Sequence, residues 1–544
     1  MTTFNRREIL VSFLGLSAAM AACRRTAAPP LPSGTIVGAS DVFGHRLRDG
    51  MRVEVLKDAW INTPVVIVGG GVAGLSAARR LSRSGLKDFV LVELEKDPGG
   101  TSRSGSNQHI SFPWGAHYIP APMKENQELI TLLAEIGIME GSNGEGEPVI
   151  REEFLCRDPQ ERVYYKGRWY EGLYLYAGTS EEDKKQFERF NSEIGRWVSW
   201  RDSRGRRAFT LPVSACSDDA EVTALDQISM GNWMNQHGFN SPRLRWWVDY
   251  ACRDDYGMLL DQTSAWAGLF YFCSRVVKPN VDSQPLITWP EGNGRLVNHL
   301  FETAREQIQL NRAAVELIPV EESGRTRVDV ITLDQEGLNP KGYRAEKVIF
   351  AAPQFVARYI IRPYRDNPPQ HIAEFEYGSW MVSNLFLRDR PKRKWDRDFP
   401  LAWDNVLYES PSLGYVVATH QRSRDRGPTV FTYYYPLCDE NPSSARTRLL
   451  ETDWAGWAEV TLADLSRAHS DIRDLVERLD VMRWGHAMIR PRTGFIWGRA
   501  RREGAKPFRS IHFAHSELSG VALFEEAFDV GLRAADEVLK ELRT

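Results

Sequence analysis

The chain has 544 residues, of which 42% are hydrophobic and 26% charged. Those proportions exclude a disordered, collagen-like or coiled-coil description of the whole, and at about 150 residues per domain the length predicts roughly three to four units with a sizeable core. The 69 Lys and Arg against 72 Asp and Glu leave a net charge of -3, so no global basic field points to nucleic acid as a partner.

The first element is an N-terminal address. Asn5-Arg6-Arg7-Glu8 precedes an almost uncharged run from Ile9 to Ala22. That run, about 14 residues, is shorter than the roughly 20 needed to span a bilayer. A basic start followed by a short apolar stretch is the plan of an export signal. The paired arginines ahead of Ile9-Leu10 resemble a twin-arginine signal. Met20-Ala21-Ala22-Cys23 resembles a bacterial lipobox, which implies lipidation of Cys23. The expectation is an exported bacterial envelope protein, periplasmic or held to the membrane by a lipid anchor at Cys23, with an ordinary N-terminal core helix as the alternative. Residues 1–22 then form the signal and 23–35 a stiff, proline-rich tether. The five later cysteines, Cys156, Cys216, Cys252, Cys273 and Cys438, form no CxxC pair and give no zinc or disulfide pattern.

The next element carries the strongest chemical signal. The β-branched run Val65-Val66-Ile67-Val68 predicts a buried parallel strand. It enters Gly69-x-Gly71-x-x-Gly74, after which Leu75, Ala78 and Leu81 continue at helical spacing. Gly69 permits the tight turn, Gly71 lets the backbone approach a pyrophosphate, and Gly74 lets helix pack on strand. The helix start at Val72 and Ala73 offers free N–H groups to that anion. A second strand, Phe89 to Val92, ends at Glu93, about twenty residues beyond the last glycine, where an acid accepts hydrogen bonds from ribose hydroxyls. Strand, glycines, helix, strand and acid in register predict a Rossmann-like dinucleotide site.

The stretch from Glu93 through Gly99-Gly100-Thr101-Ser102-Arg103 is similar to that following the ribose acid in flavin amine oxidases, a superfamily shared with protoporphyrinogen oxidases and phytoene desaturases. The resemblance implies FAD. It assigns Gly100 and a basic residue to the pyrophosphate; Thr101 stands where the family usually has arginine, and Arg103 supplies the charge two residues on. Gly115-Ala116-His117 resembles the segment whose backbone lies along the flavin ring. Val315 falls on a strand whose backbone would meet the adenine. Near the C-terminus, His515-Ser516 and Glu525-Glu526-Ala527 resemble the closing motif, so Ser516, Glu526 and Ala527 are expected beside the cofactor, although Ser516 and Glu526 depart from the usual residues there.

These motifs occur in separated blocks. The predicted fold is therefore α/β, a Rossmann-like FAD-binding domain in three parts (36–118, 285–355 and 481–544) interleaved with an α+β substrate domain in two (119–284 and 356–480). Within the first insertion, Phe187, Phe190, Ile194 and Trp197 recur at helical steps and predict a packed face, with a membrane-docking face as the alternative. Arg201, Arg204, Arg206 and Arg207 read as a solvated basic loop.

A flavin moves the electrons itself, so no strict catalytic motif is required. Candidates are Asp254 or Asp255 to hold a cationic amine, Tyr256 as an aromatic wall, and His486 as a proton handler. Helix termination before Gly257 and a structural histidine are the competing readings. His512 and His515 fall on opposite faces of a strand and should not share an ion. No HExxH or clustered Cys/His ligands and no GxSxG elbow occur, and no metal site is predicted. The expected function is oxidation of a C–N bond in an amine or amino acid by hydride transfer to FAD, with electrons passing to oxygen, a quinone or an envelope redox protein. A flavin-dependent desaturase or isomerase of a hydrophobic substrate and a non-catalytic flavin-binding scaffold are the alternatives.

Overall fold

A computed structural model describes residues 30–38, 40–322, 324–392, 399–422 and 425–543. The export signal and Cys23 lie outside the described residues. Two large sheets organise the rest. The first has seven strands among the described residues and centres on Trp60–Val68, whose residues Val65 to Ile67 are fully buried. This strand pairs in parallel with Phe89–Val92 on one side and Lys341–Phe350 on the other. Ile308–Gln309 extends the sheet beyond Phe89–Val92, and Arg325–Asp334 with Arg312–Glu322 extend it antiparallel on the far side. Ile511–Phe513 pairs in parallel with the end of Lys341–Phe350. Parallel pairing requires crossovers, and the first is the helix Val72–Arg83. The C-terminal helix Phe524–Leu542 packs on that helix so closely that a Cβ on Gly531 would stand 2.2 Å from the Ala73 carbonyl oxygen.

The second sheet has eight strands among the described residues, in the order Ile36–Gly38, Val476–Ile489, Tyr377–Leu387, Thr429–Pro436, Gly414–Val417, Asp404–Leu407, Glu161–Tyr165 and Arg168–Glu171. Strand alternation divides its faces. Along Thr429–Pro436, Phe431, Tyr433 and Tyr435 pack under Ala445, Leu449 and Trp457, while Val430 and Tyr434 face the other way, with Trp380 and Val382. That second face becomes a wall of the active cavity.

The architecture is thus the expected α/β fold, with a Rossmann-like sheet and an interleaved α+β unit. Its edges differ from the expected segments. The last residues of the presumed tether are docked: Ser33 and Thr35 accept the Leu479 and Val481 N–H groups at 2.8 and 2.9 Å. Ile36–Gly38 runs parallel to Val476–Ile489, in the second sheet and not the first.

The first insertion is mainly helical. Glu181–Ser199 opens with a capping box between Ser180 and Asp183. Phe190 and Trp197 are buried in a core with Trp233, Phe239 and Trp266, and Phe187 and Ile194 pack at its edge. The basic segment that follows is solvated at Arg201 and Arg204, as expected, but is tied down by ion pairs and carries Arg207 into the interior. Arg204 and Arg206 both pair with Asp202 and Asp218. Arg207 is buried and donates to the Val276 and Val277 carbonyls, and Arg201 to those of Val198 and Trp200. Backbone carbonyls left by turns recruit the Arg207 guanidinium inward. All five described cysteines remain free. Among the described residues no helix is long and apolar enough to cross a membrane.

Candidate active site

Strand Trp60–Val68 passes into helix Val72–Arg83 through three glycines with different physical roles. Gly69 takes φ +106°, and a Cβ there would meet the Ala351 carbonyl oxygen at 2.9 Å. A Cβ on Gly74 would stand 1.9 Å from the Gly69 oxygen, so only glycine lets the helix close on the strand end. Gly71 is extended, with φ -70°, and a Cβ there would meet nothing within 4 Å. No side chain caps the helix that starts at Val72 and Ala73. An uncapped helix start facing open space suits an anion. Gly99 donates to the Gly70 carbonyl at 2.8 Å, and Gly100, at φ +58°, lies against Gly71 on the other side of the groove.

The other groups of the groove agree with a dinucleotide. Glu93 accepts the Gly70 N–H at 2.6 Å and the Glu95 N–H at 2.8 Å, and burial pushes its carboxyl up. Arg103 is buried, with its guanidinium 3.8 Å from Glu95 and over the Trp484 ring, and so retains donors for an anion. Val315 sits in a β-bulge: Ala314 and Glu316 pair with successive residues of the neighbouring strand and Val315 with none. Its backbone groups are therefore left out of the ladder.

The backbone from Trp114 to Tyr118 is pinned along its length. The carbonyls of Trp114, Gly115, Ala116, His117 and Tyr118 accept, in order, from Trp484 Nε1, the Tyr434 hydroxyl, the Asn293 N–H, the Thr288 hydroxyl and Asn293 Nδ2. Thr101 crosses beneath: its carbonyl accepts the Ala116 N–H at 2.9 Å, and a Cβ on Gly115 would stand 2.3 Å from it. The Thr101 side chain is exposed. His117 stacks on Tyr434 with ring centroids 4.9 Å apart, and burial pushes it down to about 4, so it stays neutral.

This pinned segment borders a cavity of about 140 Å³. Tyr250, Trp380, Tyr434, Trp484, Met488 and Phe524 are among its ring and apolar lining, and Asp254, Asp255, Asp404, Arg275 and Glu525 are its charges. Helix Pro242–Tyr256 presents the first two acids and ends at Gly257, φ +61°, where a Cβ would meet Trp380 Nε1 at 2.5 Å. Asp404 stands beside Glu161 in parallel register and accepts the Tyr250 hydroxyl at 3.3 Å. Among the described residues no ion pair holds Glu161, Asp254 or Asp404, whereas Asp255 pairs with Arg275 at 2.6 Å. Burial raises Asp254 to about 8, with the Asp255 charge adding to it, and raises Glu161 to about 7. It lifts Asp404 well above the carboxylate range, Glu161 and Asp254 contributing further. Burial and the charge of neighbouring acids together hold back the ionisation of Asp254 and Asp404.

The structure brings Gly115, Ala116, His117, Thr101 and Asp255 to the cavity, and Gly71, Val72, Ala73, Gly100 and Arg103 to the groove. Of the other candidates, Tyr256, His486 and Glu526 point away from the cavity. Tyr256 is fully buried in the helical core and donates to the Ala267 carbonyl at 2.8 Å; the helix turns it away from the face that carries Asp254. His486 is exposed and stacks on Phe355 at 4.0 Å, while Trp484, Ala487 and Met488 of the same strand line the cavity. Glu526 turns aside to accept the Val213 N–H at 2.8 Å, and Glu525 faces the cavity in its place. Ser516 spends its carbonyl on the Ser519 hydroxyl, and Ala527 packs at the edge of the nucleotide-sheet core. His512 pairs with Glu537 and His515 faces Glu517, in separate surroundings. Glu161, Arg275, Asp404 and Tyr434 had no local signal that singled them out, because strand pairing and packing assemble them from distant segments, whereas Glu525 lay in the closing motif one residue from the position expected at the cofactor.

With this geometry in hand, the comparisons with known proteins are specific. Residues 72–539 match the model of the family described as flavin containing amine oxidoreductase. Over 65 residues the chain is 40% identical to sarcosine oxidase subunit alpha of Corynebacterium sp. (strain U-96), a match covering 12% of this chain and 7% of that protein. Over 170 residues it is 29% identical to AofH of Mycobacterium tuberculosis, whose name marks it provisionally as a flavin-containing monoamine oxidase; 31% of this chain and 32% of AofH are covered. The matches to these curated relatives thus span a third of their length or less. Wild-type putrescine oxidase bound to putrescine shares the fold with a TM-score of 0.62 at 17% identity, over 88% of this chain and all of that one.

Proposed function

The chain belongs to the family of flavin-containing amine oxidoreductases, and from that premise we propose that this FAD-dependent enzyme oxidises a C–N bond in a cationic amine. The observation that supports the substrate class is the pair Asp254 and Asp404 on the cavity wall, with Glu161 beside Asp404 in register, all three partly buried and without an ion-pair partner among the described residues. An ammonium group entering there would relieve the repulsion among them and let them ionise. Gly71, Val72, Ala73, Gly100 and Arg103 would hold the FAD pyrophosphate, Glu93 the ribose, Val315 the adenine, and Gly115-Ala116 would run along the ring. When bound, FAD supplies the two-electron acceptor. The protein's own part is positioning: the acids orient the cationic end, Tyr250, Trp380 and Tyr434 exclude water, and neutral His117 adds no competing charge.

Anaerobic mixing of the holoenzyme with a panel of mono- and diamines is expected to bleach the flavin absorbance. Asp404→Asn and Glu161→Gln should each raise the amine concentration for half-maximal bleaching by about 10- to 100-fold, the effect of roughly 1.4–2.8 kcal/mol. Apparent affinity should rise as pH rises through about 7–8, where Glu161 and Asp254 ionise. Bleaching by a lipid-like alkene and by no amine would overturn the assignment.

The proposal extends to location. Arg6-Arg7 would direct export and Cys23 would carry a lipid, leaving oxygen, a quinone or an envelope redox protein as electron acceptor. In fractionated cells, Cys23→Ala is expected to move the protein from membranes to the soluble periplasm. An unchanged distribution would remove the anchor from the proposal.

A further inference from the structure

Removing a hydride from the carbon beside nitrogen requires the nitrogen lone pair, so a substrate bound as an ammonium must first lose a proton. The site therefore needs a proton acceptor, and His486, exposed and stacked on Phe355, is not at the cavity. Glu525 is. It lines the active cavity, is 4% exposed, and its Oε1 has no hydrogen-bond partner among the described residues. It also lines a second, much smaller pocket of about 10 Å³, room for no more than a single water, which shares Pro120, Arg275 and Glu525 with the first. On that side Ser274 Oγ and Arg275 Nε are likewise buried without partners. Buried polar atoms left unpaired by protein are the usual seat of an ordered water.

We propose that Glu525 is the proton acceptor of the active cavity and that the pocket behind it holds the water to which the proton passes. The inference rests on the amine reading above. In the step, an N–H bond of the substrate ammonium breaks and an O–H bond forms on Glu525. No electrons are exchanged, and the neutral amine keeps the pair that hydride departure requires. The charged groups facing Glu525 are Arg275 and Asp255, with Glu526 on its own helix and Asp254 and Tyr118 on the cavity wall. Arg275 favours the carboxylate and Asp255 opposes it, while burial lifts the carboxyl to about 7, a value suited to accepting a proton near neutrality.

The test uses the holoenzyme. The rate of anaerobic flavin bleaching by an amine should rise with pH along a limb near 7. Glu525→Gln should lower that rate about 100-fold and remove the limb, and Glu525→Asp should restore part of both. Independently of turnover, the wild-type infrared spectrum should contain a protonated-carboxyl band that titrates near pH 7 and is missing from Glu525→Gln. A high-resolution crystal structure should contain a water within reach of Ser274, Arg275 and Glu525. A Glu525→Gln enzyme with the wild-type rate and limb would overturn the proposal, as would a dry pocket. If no amine bleaches the wild-type flavin, it is the amine reading that fails, and the infrared band and the water still decide whether Glu525 carries an exchangeable proton beside that pocket.

Discussion

Replacing Gly71 with valine is expected to give a folded protein that no longer retains FAD. The backbone at Gly71 is extended, a region open to every residue, and nothing lies within 4 Å of a Cβ placed there. The apoprotein therefore loses only a favourable helix-start residue, about 1 kcal/mol. The new methyl groups occupy the space outside the uncapped helix start, where the pyrophosphate would approach the Val72 and Ala73 N–H groups. FAD affinity should fall by at least about 100-fold, roughly 2.7 kcal/mol. Gly74→Ala is the contrasting variant. Its Cβ would stand 1.9 Å from the Gly69 carbonyl, so helix and strand must separate before any ligand is considered, costing on the order of 3 kcal/mol. Flavin-to-protein absorbance ratios and apoprotein Tm values distinguish the two. A Gly71→Val protein that purifies with full FAD would show that the groove is not the pyrophosphate site.

That contrast also explains what was legible before the structure. The glycines, Glu93 and the start of the helix are neighbours along the chain, and their roles follow from a single strand–turn–helix unit whose geometry is local. The pinned segment at Gly115-Ala116-His117 was legible only through family resemblance, since its donors come from Thr288, Asn293, Tyr434 and Trp484. The acids show where local reading stops. Glu161 and Asp404 are far apart in sequence and meet through one parallel strand pair, a register no periodicity announces. Asp255 was identified, yet its partner Arg275 lies past the next helix, Ala265–Cys273. Tyr256 and Glu526 were each displaced by one residue from a cavity-facing position. On a helix one residue is a rotation of about 100 degrees, enough to exchange a ligand-facing side chain for one in the core.

Glu526 leads to the second large expectation. The protein should become less stable as pH rises from about 4.5 to about 8, and Glu526→Gln should remove much of that loss. Glu526 is fully buried, accepts the Val213 N–H through Oε1, and leaves Oε2 without a partner. Burial lifts its carboxyl from 4.5 to about 8. Between those values the unfolded chain has released the proton and the folded chain has kept it, so stability present below the unfolded value is lost as pH rises through the folded one. At about 1.4 kcal/mol for each unit, the full effect is on the order of 5 kcal/mol. Glutamine keeps an acceptor for Val213 and carries no charge, so Glu526→Gln should melt near the wild type at pH 4.5 and several degrees above it at pH 9. The flavin absorbance band should be unchanged, because Glu525 and not Glu526 faces the cavity. A Tm advantage that shrinks with pH would mean that the carboxylate is charged and well paired in the folded protein. A shifted flavin band would return Glu526 to the neighbourhood of the ring that its position in the closing motif first suggested.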